Sequence, residues 1–203
     1  SFGDLWRSTF HRRLHVASTG KTATVYRGDG SVWSFTGASG VFTATSGNPY
    51  KLAAITGGYV LTDTFTGALE YYNSNGYLTS LVLPNGKSLA FVYGQGYLLR
   101  VTASDGRSVQ FLYSGTLITK ILATDLGVIN VGYDASRNLT TWAWQDGKTA
   151  TFLYENTAFP WAMTGKVNEK NVRYATFQYD EQGRATSTER AGGTNKVTVT
   201  HGD

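Results

Sequence analysis

The sequence has 203 residues, of which 41% are apolar and 14% aromatic, with a formal charge of +4 and no cysteine. This length and apolar content can build one sizeable core, so a single domain is predicted, whereas the absence of cysteine excludes disulfides and thiolate metal sites. No window has the roughly 18 apolar residues of a membrane helix, and the basic residues are scattered. We therefore expect neither membrane insertion nor dedicated nucleic-acid binding.

The N-terminal stretch "LWRSTFHRRLH" alternates apolar and polar residues, which predicts a β-strand with a basic face. Three arginines are candidates for binding a phosphate or sulfate group, the alternative being an ordinary solvated face: Arg7, Arg12 and Arg13. His11 and His15 would lie roughly 13 Å apart on such a strand, too far to share a zinc ion. No metal or other cofactor is therefore predicted.

The next stretch, "STGKT", resembles the second half of a phosphate-binding loop. The first glycine that such a loop requires would fall at His15, and the following "TATVYR" is typical of a strand rather than a helix. A hairpin turn is the better interpretation of this stretch.

Further along, a tyrosine closes a β-rich run at intervals of 21, 20, 20, 21 and 25 residues, namely at Tyr72, Tyr93, Tyr113, Tyr133, Tyr154 and Tyr179. Turns such as Asn85-Gly86 lie between the runs and indicate type I′ hairpins, in which both central residues have positive φ. One repeat is therefore one β-hairpin. Residues 71–203 are predicted to form about six such repeats, and residues 1–70 a looser set of hairpins.

The first strand of a repeat is less regular than the second. Leu78 and Leu81 are three residues apart, as are Leu139 and Trp142, so each pair can face one core only if the strand contains a β-bulge. Bulges and a strongly twisted, curved sheet are therefore expected. Residues 155–171 stretch one repeat and are predicted to be an ordered insertion loop.

Fourteen carboxylates invite a search for a glycosidase pair. Eight of them fall in turns, directly after repeat tyrosines or in polar runs: Asp29, Asp105, Asp146, Asp134, Asp180, Glu169, Glu181 and Glu189. Aspartate suits turns because it bonds its own backbone, and nothing selects an acid and a nucleophile. A serine nucleophile elbow is also missing, so no enzyme is predicted. Three tryptophans are candidates for stacking on a sugar, the alternative being that they fill a thick core: Trp142, Trp144 and Trp161.

Two stretches, "YDASRNLTTWAWQDGKTATFLYE" and "YDEQGRATSTERAGGTNKVTVTH", resemble YD repeats of the Rhs family, and "GDLWRSTFHRRL" followed by "VYRGDGSVWSF" resembles the start of bacterial Rhs cores. The copies at Tyr93 and Tyr113 depart from the pattern, because glycine and serine follow the tyrosine. The resemblance implies a β-sheet ribbon that spirals into a hollow shell. Such shells enclose a toxin in polymorphic toxins and insecticidal toxin complexes, and a related shell supports adhesion in teneurins.

The predicted fold class is all-β: consecutive antiparallel β-hairpins forming a curved, twisted sheet, a segment of a β-spiral shell. About six repeats are too few to close a shell, so we expect the N-terminal part of a longer Rhs core or a short relative. The predicted function is a non-enzymatic wall segment of a bacterial Rhs-type protein that is secreted, displayed on the cell surface or injected. Its partners would be the remainder of the larger chain and a toxic cargo.

The alternative function is a carbohydrate-binding or adhesion module with glycans as ligands. The last run, "NKVTVTHGD", lacks the polar cap that terminal repeats need, so self-association through this edge strand is also expected. A strictly monomeric sedimentation profile at high concentration would contradict that expectation.

Overall fold

The computed structural model describes residues 2–3, 5–38 and 40–202. The described residues form nineteen strands in one antiparallel sheet, in which strand order follows the sequence. These residues contain no α-helix, hence none able to cross a membrane. The predicted all-β class of consecutive antiparallel hairpins is confirmed. The chain divides into two compact units, the front unit Arg7–Phe111 and the rear unit Ser1–Trp6 with Leu112–Asp203. The single-domain organisation, with parts 1–70 and 71–203, stays a prediction.

Strands β1 to β11 begin in the front unit, and each pairs antiparallel with the next. They are β1 (Arg13–Val16), β2 (Thr22–Tyr26), β3 (Val32–Ala38), β4 (Val41–Ala44), β5 (Tyr50–Ile55), β6 (Gly58–Asp63), β7 (Leu69–Asn73), β8 (Leu78–Val82), β9 (Ser88–Gly94), β10 (Tyr97–Ala103) and β11 (Ser108–Ser114). Alternate residues form the core, as in β2, where Ala23 and Val25 are buried between more exposed neighbours. The hairpin predicted at "STGKT" is confirmed as the β1–β2 connection.

Strands β12 to β19 lie in the rear unit and pair in the same consecutive way. They are β12 (Leu117–Ala123), β13 (Gly127–Tyr133), β14 (Leu139–Trp144), β15 (Thr149–Leu153), β16 (Gly165–Val167), β17 (Arg173–Tyr179), β18 (Ala185–Arg190) and β19 (Val197–Thr198). A short 3₁₀ turn, Ala191–Gly193, joins the last two strands.

The insertion predicted at residues 155–171 is shorter than expected, because it contains a strand. β16 pairs with both β15 and β17, so the irregular connection is confined to residues 154–164. Within it, the backbone oxygen of Pro160 accepts a hydrogen bond of 2.9 Å from Asn138 Nδ2, and Ala162 is buried. The connection is therefore an ordered part of the rear unit.

The N-terminal strand prediction is wrong for the residues before Arg13. Residues 5–12 form turns and irregular backbone, with an isolated bridge at Trp6. In the front unit Phe10 packs edge-on against Phe91 and Phe111, with ring centroids 6.2 and 6.5 Å apart. Aromatic residues that recur every four positions also fit a period of two, which is why the sequence suggested a strand. Phe10 therefore packs on the buried face of β9 and β11, and residues 7–12 do not extend the sheet.

The predicted bulges are confirmed, and they recur at one register position. Gly132 of β13 pairs with Thr141 of β14, but Tyr133 pairs with Leu139, so Thr140 is an extra residue of β14. The same shift of one residue occurs next to the pair formed by three other repeat tyrosines, with the extra residue again in the following strand. These pairs are Tyr72–Leu78, Tyr93–Leu98 and Tyr179–Ala185. Each bulge increases the local twist and bends its strand.

A bulge also decides which side chains share a face. Leu139 and Trp142 are opposite Tyr133 and Val131, which are two residues apart on β13 and therefore face the same side. Two apolar residues three apart thus reach one core, as the sequence predicted.

The Asp-Gly turns differ from the predicted type I′. At Asp146-Gly147, the Gly147 N–H donates to Trp144 O at 3.1 Å, and the Trp144 N–H donates to Lys148 O at 2.9 Å. Only Gly147 has a positive φ, of 85°. This is a three-residue hairpin loop that ends in a left-handed residue, so the type I′ prediction is wrong.

The residue after a repeat tyrosine sets the length of the following loop. Asp134 Oδ1 accepts a hydrogen bond of 2.8 Å from the Asn138 N–H, and Asn73 Oδ1 accepts one of 3.0 Å from the Tyr77 N–H. Both bonds span four residues and bracket a three-residue loop. Gly94 has no side chain to make such a bond, and its strand turns through two residues instead. The Tyr93 copy therefore departs from the Tyr-Asp pattern because its turn is shorter.

Replacing Gly147 by valine is expected to destabilise the protein by about 1–3 kcal/mol, because a β-branched residue is strained at positive φ. A Cβ atom at this position would meet no atom within 4 Å, so the strain is confined to the backbone. Urea unfolding of Gly147→Val measures the effect, and Gly147→Asn is the matched control because asparagine tolerates the left-handed region. Equal midpoints for the valine variant and the wild type would contradict the assigned turn.

Candidate functional site

A buried charge network lies around Glu70 on β7 of the front unit, where Glu70 is 3% exposed. Arg27 Nη1 donates to both carboxylate oxygens, at 2.6 and 2.8 Å, and Arg12 Nη1 donates to Oε1. The Tyr72 hydroxyl donates to Oε2 at 2.5 Å. Burial, reinforced by the neighbouring carboxylate, raises the pKa of Tyr72, so this hydroxyl remains a hydrogen-bond donor. The buried carboxylate is therefore fully compensated by its donors.

The three arginines predicted to bind an anion have three different environments. Arg12 pairs with Glu70, whereas the guanidinium of Arg13 lies 3.4 Å from the ring centroid of Tyr77. Arg7 is exposed. Arg12 and Arg13 are thus engaged within the front unit, and anion binding by the three arginines stays a prediction.

The hydroxyl groups of the repeat tyrosines serve the scaffold of the rear unit. Tyr133 donates to Ile118 O at 2.6 Å, and Tyr179 donates to Met163 O at 2.8 Å. In each bond the tyrosine reaches back 15 or 16 residues, across the preceding hairpin. Burial raises the pKa of both tyrosines, which keeps the hydroxyls protonated.

The structure separates the three candidate tryptophans. Trp142 lies against Phe2, with ring centroids 5.8 Å apart, and Phe2 is buried. Trp161 lies in the connection after β15, is 49% exposed and packs edge-on against Phe159. Trp144 ends β14 and is half-buried. No aromatic contact joins the three tryptophans among the described residues, so they do not form one stacking platform.

Trp144 lines an open groove of about 800 Å³ in the rear unit. Exposed Leu126 adds a second apolar surface, and the Lys148–Asp146 ion pair, with Nζ and Oδ2 2.6 Å apart, lies on its wall beside Glu169. Hydrogen bonding to Asp146 raises the pKa of Lys148, so this wall carries paired charges. An indole beside carboxylate, ammonium and amide groups has the chemistry to bind a polar ligand with an apolar face.

The turn carboxylates have the structural role that the sequence predicted for them. Asp29, Asp105 and Asp146 each accept a hydrogen bond from the backbone N–H two residues later, at 2.9 to 3.1 Å. Hydrogen bonds from neighbouring side chains, together with these backbone bonds, lower the pKa of each carboxyl group. Among the described residues no three His, Asp or Glu side chains are arranged to hold a metal ion.

Comparison with known proteins gave matches only among solved structures. No family profile and no curated protein sequence matches this chain. A structure of the Tc holotoxin pore of Photorhabdus luminescens is similar over 95% of this chain and 13% of the matched chain, at 15% identity and a TM-score of 0.46. The crystal structure of TcdB2-TccC3-TEV is similar over 92% of this chain and 12% of the matched chain, at 15% identity and a TM-score of 0.47. The chain thus spans about an eighth of the length of either match.

Replacing Glu70 by glutamine is expected to cost about 3–5 kcal/mol of stability, because Arg12 and Arg27 would then be left without a counter-charge. Urea unfolding measures this cost. The matched control is Asp146→Asn, whose ion pair with Lys148 is solvated and whose loss should leave the unfolding midpoint unchanged. Equal midpoints for Glu70→Gln and the control would show that the buried network does not stabilise the front unit.

Proposed function

We propose that this chain is a non-enzymatic structural segment of a larger Rhs-type protein, and that it forms part of the wall of a shell around a toxic cargo. The remainder of the Rhs chain and the cargo are its partners. The complete protein is secreted, displayed on the cell surface or injected by a bacterial secretion system.

The proposal rests on one observation: residues that recur from repeat to repeat determine the bulges and the loop lengths of the sheet. Four repeat tyrosines precede the same bulge register, and the aspartate of the Tyr-Asp motif fixes a loop length. Residues that recur from repeat to repeat and set the path of the backbone allow a sheet to be extended by one hairpin after another. The sequence resemblance to YD repeats supports the same interpretation.

An exposed edge strand is compatible with this role. Val197 of β19 is 55% exposed, and β18 is its strand partner among the described residues. A further strand, from the same or another chain, can add to such an edge through backbone hydrogen bonds. In the proposed shell this edge receives the next repeat, and in the isolated chain it supports self-association.

An immunoblot of the source organism, with cells and culture medium analysed separately, tests the proposal. An antibody raised against these 203 residues should detect a band several times heavier than 22.1 kDa, because the segment belongs to a larger chain. A recombinant sample of the chain provides the size control. A band at 22.1 kDa alone would overturn the wall-segment role.

A second candidate function, glycan binding, is favoured by the groove at Trp144. A half-buried indole flanked by hydrogen-bonding groups suits the apolar face and the hydroxyls of a sugar ring. Trp142 contributes less to this function than the sequence suggested, because it packs against Phe2. Trp161 lies in a different segment of the rear unit and is a separate candidate.

A glycan array followed by titration of the best oligosaccharide, read by tryptophan fluorescence, tests this second function. Trp144→Ala is expected to weaken binding by about tenfold through loss of stacking, whereas Trp161→Ala should leave it unchanged. If the wild-type chain binds no glycan on the array, the glycan-binding function is excluded. Equal affinities of the two variants would exclude the Trp144 groove as the binding site.

A further inference from the structure

Phe2, Gly3 and Trp6 occupy a defined site on the rear unit, and among the described residues they belong to no strand of its sheet. A single bridge between Phe2 and Trp6 closes this short segment on itself. The Phe2 ring lies 5.8 Å from that of Trp142 on β14, and the Trp6 ring lies 5.0 Å from that of Phe152 on β15. Two aromatic anchors four residues apart thus cover the faces of two neighbouring strands.

One polar bond orients this segment on the sheet. Trp6 Nε1 donates to the Tyr154 hydroxyl at 3.0 Å, so the indole is held both by its tilted contact with the Phe152 ring and by a hydrogen bond to a repeat tyrosine. Tryptophan anchors of this kind, with a buried face and a satisfied N–H, carry much of the affinity in peptide recognition.

Gly3 makes the fit selective. Its φ is +78°, and a Cβ atom at this position would lie 2.2 Å from the backbone oxygen of Arg137. Any other residue would have to strain its own backbone and displace a carbonyl of the β13–β14 loop. The site therefore accepts the pattern Phe-Gly-x-x-Trp and rejects one in which the glycine is replaced.

We propose that this face of β14 and β15 is a peptide-recognition site for a Phe-Gly-x-x-Trp segment, and that it accepts this segment from a second copy of the chain. Among the described residues the segment pairs with no strand of the rear unit, and its one bridge lies within the segment, so it can leave the site without breaking a strand pair. Exchange of an identical segment between copies keeps every contact and adds only the entropy of association. This inference does not depend on the proposed wall function.

Exchange competes with occupation of the site by the chain's own segment. A tethered segment has an effective concentration of about millimolar, so exchange between wild-type copies is expected only at high protein concentration. A variant with a weakened own segment should instead accept an added peptide readily.

Fluorescence anisotropy of a labelled synthetic peptide, SFGDLWRS, tests the site with the full-length chain as receptor. Trp6→Ala, with unchanged circular dichroism, should bind the peptide at least about tenfold more tightly than the wild type, because its own anchor is gone. Phe2→Ala serves as the second receptor if Trp6→Ala does not fold. The same peptide carrying Gly3→Ala should bind at least about tenfold more weakly. Absence of saturable binding to a folded receptor, or equal binding of the two peptides, would overturn the proposal.

Sedimentation of the full-length chain at high concentration separates exchange from association through β19. Dimer formation should decrease in Gly3→Ala, whose segment no longer fits, and should persist in Thr198→Pro, which blocks hydrogen bonding at the outer edge of β19. A dimer that survives Gly3→Ala and disappears in Thr198→Pro would show that copies associate by edge pairing and would overturn the exchange.

Discussion

In four repeats a tyrosine near the end of one strand pairs with a residue at the start of the next strand, across a bulge of one residue. Side chains alternate strictly between the two faces of a strand, so a shift of one residue exchanges the buried and exposed sets. The bulge applies this shift once in each of these hairpins. Leu139 and Trp142, which are three residues apart, face the same side of the sheet only because of it.

The sequence predicted the hairpins well because their signals are local. Alternation with a period of two and a glycine at a left-handed position each act within a few residues, and bulges could be inferred from apolar residues three apart. Turn type was predicted wrongly, because Asp-Gly fits both a two-residue and a three-residue loop, and the flanking backbone bonds of Trp144 and Lys148 decide between them. The N-terminal segment was misassigned because aromatic residues spaced four apart are compatible both with a strand and with an irregular segment that packs its aromatic side chains on a sheet.

Long-range pairing explains what the sequence could not show about the sites. Glu70 alternates with buried Tyr72 in "LEYYN", and an acidic residue at a core-facing position was the available signal for the network. Its partners Arg12 and Arg27 are 58 and 43 residues away, and no local pattern connects them. The three tryptophans were grouped by residue type, but their neighbours come from different segments: Phe2 for Trp142, the β16–β17 turn for Trp144 and Phe159 for Trp161.

The one-residue bulge also bears on how such a chain can change over generations. Inserting one residue between Thr141 and Trp142 would shift the register and turn the remainder of β14 over, so that Trp142 would face the opposite side of the sheet. Duplicating or losing a complete hairpin, with its tyrosine, bulge and loop, would leave the side chains of the flanking strands on the faces that they occupy now. Gene rearrangements in units of about twenty codons are therefore tolerated far better than small insertions within a strand, and the length of the sheet can vary while its local geometry does not.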